Sequence, residues 1–311
     1  VKIFVAGATG AIGRPLIYRL LEAGHTVTGM TRSEHRAAEL QELGAGAVVA
    51  DALDAEAVTA AVRQSKPDVI VHQLTALPSR LDYADPGVFK PTARLRRDGT
   101  RILVEAARAA GTRRLVAQSV AFMYAPTGDW VKTEDAPMMD PPPGPFGEIV
   151  EATRALERQV LGAEDIEGVV LRYGFFYGPG TSYARDGAQA QDARRRKLAI
   201  VGRGTGTFSF IHVDDAAAAT VQALDHGSPG IYNVTDDDPA PMREWLPVFC
   251  AAVGAPKPLR VPRFLAKLVA GGAAVSFATD ARGASNAKAK RELDWAPRYA
   301  SWREGFQSGL D

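Results

Sequence analysis

The feature that most limits what this chain can become stands at its start. An apolar run at residues 1–6 leads straight into Gly7-Ala8-Thr9-Gly10-Ala11-Ile12-Gly13, which opens a stretch with helical spacing at 12–23. Glycines at this spacing, between a strand and a helix, let main-chain N–H groups approach a ligand with no Cβ in the way. Gly7 makes the tight turn, Gly10 the close approach and Gly13 the packing of helix on strand. The helix N-terminus adds its partial positive charge, so the segment predicts a cradle for a pyrophosphate.

The rest of the chain extends that beginning. Strand-like runs at 26–30, 47–50, 68–72, 115–119 and 169–173 alternate with helical patterns at 33–43, 54–64, 92–110 and 146–161. Ser33 and Asp54 are expected N-caps, and Gly111 an expected C-terminal stop. Strands separated by helices pair in parallel through right-handed crossovers. The fold class expected is therefore α/β, a doubly wound parallel sheet of Rossmann type with a smaller C-terminal substrate-binding cap. Residues 1–177 form the dinucleotide-binding core, to which a strand and helix from 205–235 contribute, and 178–311 form the cap. Residues 125–145 read as a Pro- and Gly-rich loop over the sheet's carboxyl edge. Short helices are expected at 182–197, 214–224, 242–253 and 285–292. The greasiest stretch, 264–279, reads as a core or interface helix, since it holds Lys267 and is shorter than the ~20 apolar residues a membrane span needs.

Composition removes several classes. Lys and Arg total 37 against 36 Asp and Glu, so the net charge of +1 offers no general grip on nucleic acid or anionic membrane. One cysteine, Cys250, excludes an internal disulfide framework, and the five histidines show no H-x-x-x-H pair, so no metal site is expected. With no leader-like segment read at its start, the chain is expected to be cytoplasmic. Arg194-Arg195-Arg196-Lys197 reads as a solvated face. Asp236-Asp237-Asp238 lacks the carboxylate spacing of a calcium loop. His212, with Asp214 and Asp215, is expected to fix a helix start.

The end of the second strand bears on which dinucleotide is bound. An NAD site usually has an acid there to hold the ribose hydroxyls. Here the residues are Met30-Thr31-Arg32-Ser33. Arg32 can fork a 2′-phosphate, with Thr31 and Ser33 donating to it, which favours NADP(H), with NAD(H) as the other option. Asp51 and Leu53 are placed to border the adenine.

The chain at this point resembles the extended and atypical short-chain dehydrogenase/reductases, especially those that are epimerase/dehydratase-like. The resemblance rests on the Gly7–Gly13 loop, Asp51-Ala52-Leu53, Asp68-Val69-Ile70-Val71-His72, Gly99-Thr100, Ser119, Leu171-Arg172-Tyr173, Tyr177-Gly178-Pro179-Gly180, His212-Val213-Asp214-Asp215 and Tyr232-Asn233-Val234. It implies that Gly7, Thr9, Gly10, Ala11, Ile12 and Gly13 contact the pyrophosphate, and that Arg32, Asp51 and Leu53 surround the adenosine. It implies too that residues 72–75, Leu74 and Thr75 among them, line the cofactor, and that Ser119 lies near the nicotinamide. Tyr173, Phe175 and Phe176 would touch nicotinamide or substrate. A homodimer through the helices at 92–110 and 146–161 is a further implication.

The chain departs from that family at its working pair, Tyr-x-x-x-Lys, in which the tyrosine moves a proton as hydride moves and the lysine lowers its pKa. None of the eight tyrosines is followed four residues later by lysine, and the matching segment is Phe146-Gly147-Glu148-Ile149-Val150. Tyr124 is then the best-placed proton donor, with Ser119 beside it; Tyr177, Tyr183 and His212 rank lower. Nucleotide-sugar members usually carry an arginine where this chain has Thr207-Phe208-Ser209-Phe210-Ile211-His212, and Arg96 replaces an asparagine before the Gly99-Thr100 pair. The function expected is NAD(P)-dependent oxidoreduction of a small carbonyl, imine or enone without the usual pair. One such route delivers hydride to an activated acceptor, with any proton coming from substrate or water. The alternatives are a sugar-nucleotide epimerase or dehydratase, and a non-catalytic NADP-binding sensor or scaffold.

Overall fold

The computed structural model describes residues 1–78, 80–81, 85, 87–142 and 146–311, so the last three residues of the expected 125–145 loop lie outside the described residues. The chain opens β1 (Lys2–Ala6), α1 (Gly13–Glu22), β2 (Thr26–Thr31), α2 (Glu34–Glu42), β3 (Gly46–Val49), α3 (Ala55–Ser65) and β4 (Val69–His72). It continues with α4 (Lys90–Arg94), a π-helical turn (Leu95–Gly99), α5 (Thr100–Ala110), β5 (Arg114–Val120), β6 (Val131–Lys132), α6 (Phe146–Leu161), β7 (Glu167–Tyr173) and β8 (Phe175–Tyr177). The last third holds α7 (Ala188–Arg194), β9 (Ala199–Val201), β10 (Thr207–Phe208), β11 (Phe210–His212), α8 (Val213–Gln222), β12 (Gly230–Val234), β13 (Ala240–Pro241) and α9 (Met242–Ala252). It ends with β14 (Leu259–Val261), α10 (Arg263–Asp280), β15 (Gly283–Ala284), α11 (Ala287–Glu292) and α12 (Trp302–Ser308).

Seven strands form one parallel sheet in the order β12-β7-β5-β4-β1-β2-β3. Alternate residues of each strand feed opposite faces. Ile3 and Val5 pack with Leu16, Ile17 and Leu20 of α1 and with α8, whereas Phe4 and Ala6 pack with α3, α5 and α6. The strand order reverses direction between β1 and β4, and ligands of such sheets bind outside the carboxyl ends at that point. The expected caps are in place. The Ser33 side chain accepts from the Arg36 amide, Asp54 from the Glu56 and Ala57 amides, and Gly111 closes α5 at φ 69°. His212 caps α8 by accepting from the Asp214 amide at 3.1 Å.

Two expectations change. The helix at 92–110 begins at Lys90 and is interrupted by the π-helical turn at Leu95–Gly99, which rotates Arg96 into the interior. The greasy stretch becomes α10, broken at Gly271 (φ 79°), and its first half is no core helix: Leu268 and Val269 are 81% and 90% exposed. Its second half packs inward through Val275, Phe277 and Ala278. Sequence reading also passed over α12, a helix of 7 residues whose Trp302 and Phe306 fill the cap core.

Candidate active site

Gly7 turns the chain at φ 90°, and a Cβ there would stand 2.6 Å from the Gln73 carbonyl oxygen at the end of the neighbouring strand. A Cβ on Gly13 would stand 2.5 Å from the Ala8 backbone, so both glycines are required for close approach. Gly10 contributes openness, and its amide donates back to the Gly7 carbonyl. No side chain caps α1 and no acid stands in its first turn, so the first amides remain available to an anion.

The loop opens into a cleft of about 860 Å³ across the carboxyl ends of β1, β2, β3 and β4. Of the residues expected to bind cofactor, Gly7, Thr9, Gly10, Thr31, Arg32, Ser33, Asp51, Leu53, Leu74 and Thr75 line it. Gln73, inside the His72–Thr75 stretch expected along the cofactor, lines it too, as do Arg36, Lys90 and Arg94, which sequence reading missed. The Arg36 guanidinium points back over the loop to the Thr9 hydroxyl at 3.4 Å. Its sequence signal was its place three residues after the Ser33 cap. Asp51 turns its carboxylate onto the Leu53 amide at 2.9 Å, and Arg32, Arg36, Lys90 and Arg94 put four cations around the same cleft. Gln73 is buried, donates to the Tyr173 hydroxyl at 3.3 Å, and holds its Oε1 without a partner among the described residues. A glycine cradle, uncapped helix amides, cationic walls and a buried orphan acceptor together fit a pyridine dinucleotide.

Several expected residues lie elsewhere. Ala11 is exposed on the outer turn, Ile12 belongs to the core below α1, and Gly13 serves packing. Tyr173 is fully buried beneath the cleft, its hydroxyl bonded to Thr220 at 2.7 Å, and burial lifts its pKa to about 12. Phe176 packs on the Tyr173 ring at 5.3 Å, and Phe175 stacks on Phe122 at 4.3 Å, outside the cleft wall.

The two expected catalytic residues sit in a closed polar network rather than on an open surface. Ser119 is fully buried and donates to Glu157 Oε1 at 2.7 Å. Arg172 grips both oxygens of Glu157, at 2.8 and 2.7 Å, and also donates to the Tyr124 hydroxyl at 3.0 Å. Tyr124 in turn donates to Asn233 Oδ1 at 2.6 Å and is 2% exposed. Burial raises the Tyr124 pKa, against the pull of Arg172. The phenol gives its proton to Asn233 and accepts from Arg172, both inside the protein, which is the geometry of a strut. Of the lower-ranked candidates, Tyr177 is sealed in the cap core, and burial raises its pKa; His212 holds α8 and donates from Nε2 to the Gly309 carbonyl.

Beside this network, Phe146 and Val150 lie on the inner face of α6 in an apolar cluster with Phe89, Val120 and Met123. Phe146 is 5.6 Å from both the Phe89 and Phe277 rings, so α10 of the cap closes onto it. The cluster takes Val120 from the carboxyl end of β5, Ala93 from α4 and Phe146, Ile149 and Val150 from α6. Among the described residues, no group of three or more His, Cys, Asp or Glu could hold a metal ion, and no helix is long and apolar enough to cross a membrane.

Comparison with known proteins agrees with this architecture. The sequence matches the NAD dependent epimerase/dehydratase family over residues 3–235. It is 48% identical over 307 residues to a 3-diazoavenalumate denitrifying reductase of a Streptomyces species, covering 98% of this chain and 99% of that one. It is 32% identical to a 2-alkyl-3-oxoalkanoate reductase of Stenotrophomonas maltophilia, over 82% of this chain and 77% of that one. Its fold is similar to that of a UDP-glucose 4-epimerase from Thermotoga maritima, with a TM-score of 0.77 at 20% identity, covering 100% of this chain and 97% of that one. Cradle, sheet and sequence match together make this chain an enzyme of the NAD dependent epimerase/dehydratase family.

Proposed function

We propose that this enzyme is a nicotinamide-dependent reductase whose acceptor takes up hydride without a proton from a tyrosine–lysine pair. The observation that carries the reading is the apolar packing of Phe146 and Val150, neither of which can give, take or polarise a proton. The dinucleotide, when bound, supplies a hydride. The cradle glycines and α1 hold its phosphates, Arg32 and Arg36 favour the 2′-phosphate of NADP(H), and the Gln73 carbonyl group accepts from a ligand donor.

Reduction of a ketone requires hydride on carbon and a proton on oxygen, and Ser119 and Tyr124 are poorly presented to give one. An arenediazonium ion has no such need: hydride uptake forms one C–H bond, the C–N bond breaks, dinitrogen leaves, and charge balances with no proton moved. The 48% identity to a denitrifying reductase of a diazo compound supports this acceptor class over a sugar nucleotide. So does β10–β11, where Phe208 and Phe210 are buried in the cap core. The role of the protein is to bind, to orient the acceptor against the apolar wall, and to exclude water that would compete for the electrophile.

The test is a panel assay of nicotinamide absorbance with an arenediazonium salt, an enone, an iminium ion and a ketone. The diazonium salt is expected to be consumed with one dinitrogen released per NADPH oxidised. Turnover of the ketone alone would contradict the reading. Titration with both dinucleotides should give tighter binding of NADPH than NADH.

A further inference from the structure

Among the described residues, Arg96 is a buried cation near the apolar cluster to which neither the fold nor the cradle gives a task. It is 4% exposed and sits on the π-helical turn. Such single turns inside α-helices reposition side chains and often mark functional places. Ala93, one turn earlier, belongs to the apolar cluster, and Leu95 lines the cleft. The guanidinium reaches Thr153, one turn beyond Val150 on α6.

A guanidinium has five N–H donors. Among the described residues, Arg96 makes one side-chain hydrogen bond, to Thr153, and no ion pair. Glu157 is near enough to act on it electrostatically, but both its oxygens are held by Arg172, and Oε1 by Ser119 as well. The buried group formed by Arg96, Arg172 and Glu157 therefore carries two positive charges and one negative. Burial lowers the Arg96 pKa to about 10, as expected of a cation short of a partner. A buried charge left this way destabilises the folded chain unless something else supplies the counter-charge.

We propose that Arg96 binds an oxyanion of the acceptor, a carboxylate or a phenolate, and so orients its reducible group at the apolar wall. This rests on the reductase reading above and narrows its substrate class to acceptors bearing a negatively charged oxygen. The planar fork, with donors beyond the one given to Thr153, suits a carboxylate, and Arg96 stands on the turn whose Leu95 lines the cleft and next to α4, whose Ala93 belongs to the apolar cluster.

The experiment needs no turnover. The NADPH-saturated enzyme is titrated calorimetrically with cinnamate and with the uncharged cinnamamide. The wild type should bind cinnamate about tenfold or more tightly than the amide, as a charge-assisted hydrogen bond to a buried partner provides. Arg96→Gln should erase the preference, Arg96→Lys should keep part of it, and NADPH affinity should change less than twofold in both. Arg96→Met should raise the Tm of the ligand-free enzyme, because it removes an uncompensated charge. Equal binding of acid and amide by the wild type, no binding of either, or a preference that survives in Arg96→Gln overturns the proposal. So does a loss of NADPH affinity matching the loss for cinnamate, or a lower Tm for Arg96→Met, which would make Arg96 a support for the fold. Failure of every acceptor to oxidise NADPH would sink the reductase reading while leaving the anion preference measurable.

Discussion

The two ends of the site are built by opposite rules. At the cradle end, Arg32, Arg36, Lys90 and Arg94 stand around an open cleft with bare glycine backbone below. At the other end, Phe146, Val150, Val120 and Met123 form an apolar wall, and the polar residues next to it are tied to each other in a buried network. The first end is arranged to hold a highly charged ligand. The second is arranged to keep water out and offers no free acid. A glycine cradle and an apolar wall are thus built separately within one fold, the first from β1 and α1 and the second largely from α6.

The sharpest way to break the comparison is at the cradle. Gly7→Val places a branched side chain where a Cβ already lies 2.6 Å from the Gln73 carbonyl, at φ 90°. NADPH binding, followed by fluorescence, should weaken by about 100-fold or more, given strain of about 1–3 kcal/mol and a blocked approach of the phosphates. At the other end, Glu157→Gln leaves two buried guanidinium groups uncompensated and should reduce unfolding free energy by about 3–5 kcal/mol in a denaturant titration. NADPH affinity of the folded fraction should remain near wild type, since Glu157 lies outside the cleft.

A smaller effect comes from His72, which joins the two ends. It is fully buried, bonded to Thr100 at 2.9 Å and to the Leu74 amide at 3.2 Å. Burial, and then the charge of Arg96, lower its pKa from 6.5 to about 3. The unfolded chain therefore binds more protons between those values, and stability falls as pH drops below 6.5. By pH 5 the loss should be about 2 kcal/mol, measured by urea unfolding, and His72→Gln should flatten that slope.

The smallest expected effect is at Tyr124. As a strut, Tyr124→Phe should lower stability by about 1 kcal/mol and leave kcat within about twofold. A drop in kcat of about 100-fold with unchanged stability would restore Tyr124 as the proton donor.

Much of this arrangement is legible in the linear sequence because it is local. The glycine loop, the Ser33 and Asp54 caps, the Gly111 stop and the strand–helix alternation each depend on neighbours a few residues away. Arg36, Lys90 and Arg94 were not legible as a group, because α2 and α4 meet at the cleft only after the sheet forms. Ser119 and Tyr124 were rightly placed near the end of β5, but their partners come from far along the chain. Glu157 is 38 residues from Ser119, and Asn233 is 109 from Tyr124, so the sequence could show their position and not their enclosure. The π-helical turn was hidden for a related reason: Arg96 looks like a surface residue until α6 packs over it.

The origin of the new hydrogen separates hydride transfer without a protein acid from proton-assisted reduction. NADPH carrying deuterium at its transferable position, mixed with an arenediazonium salt in ordinary water, reports this directly. The arene product should carry one deuterium, released together with dinitrogen, at a rate constant that is flat between about pH 6 and 9 because no protein acid ionises in the step. An unlabelled arene, or a rate that falls away with a single ionisation in that interval, would contradict hydride transfer without a protein acid.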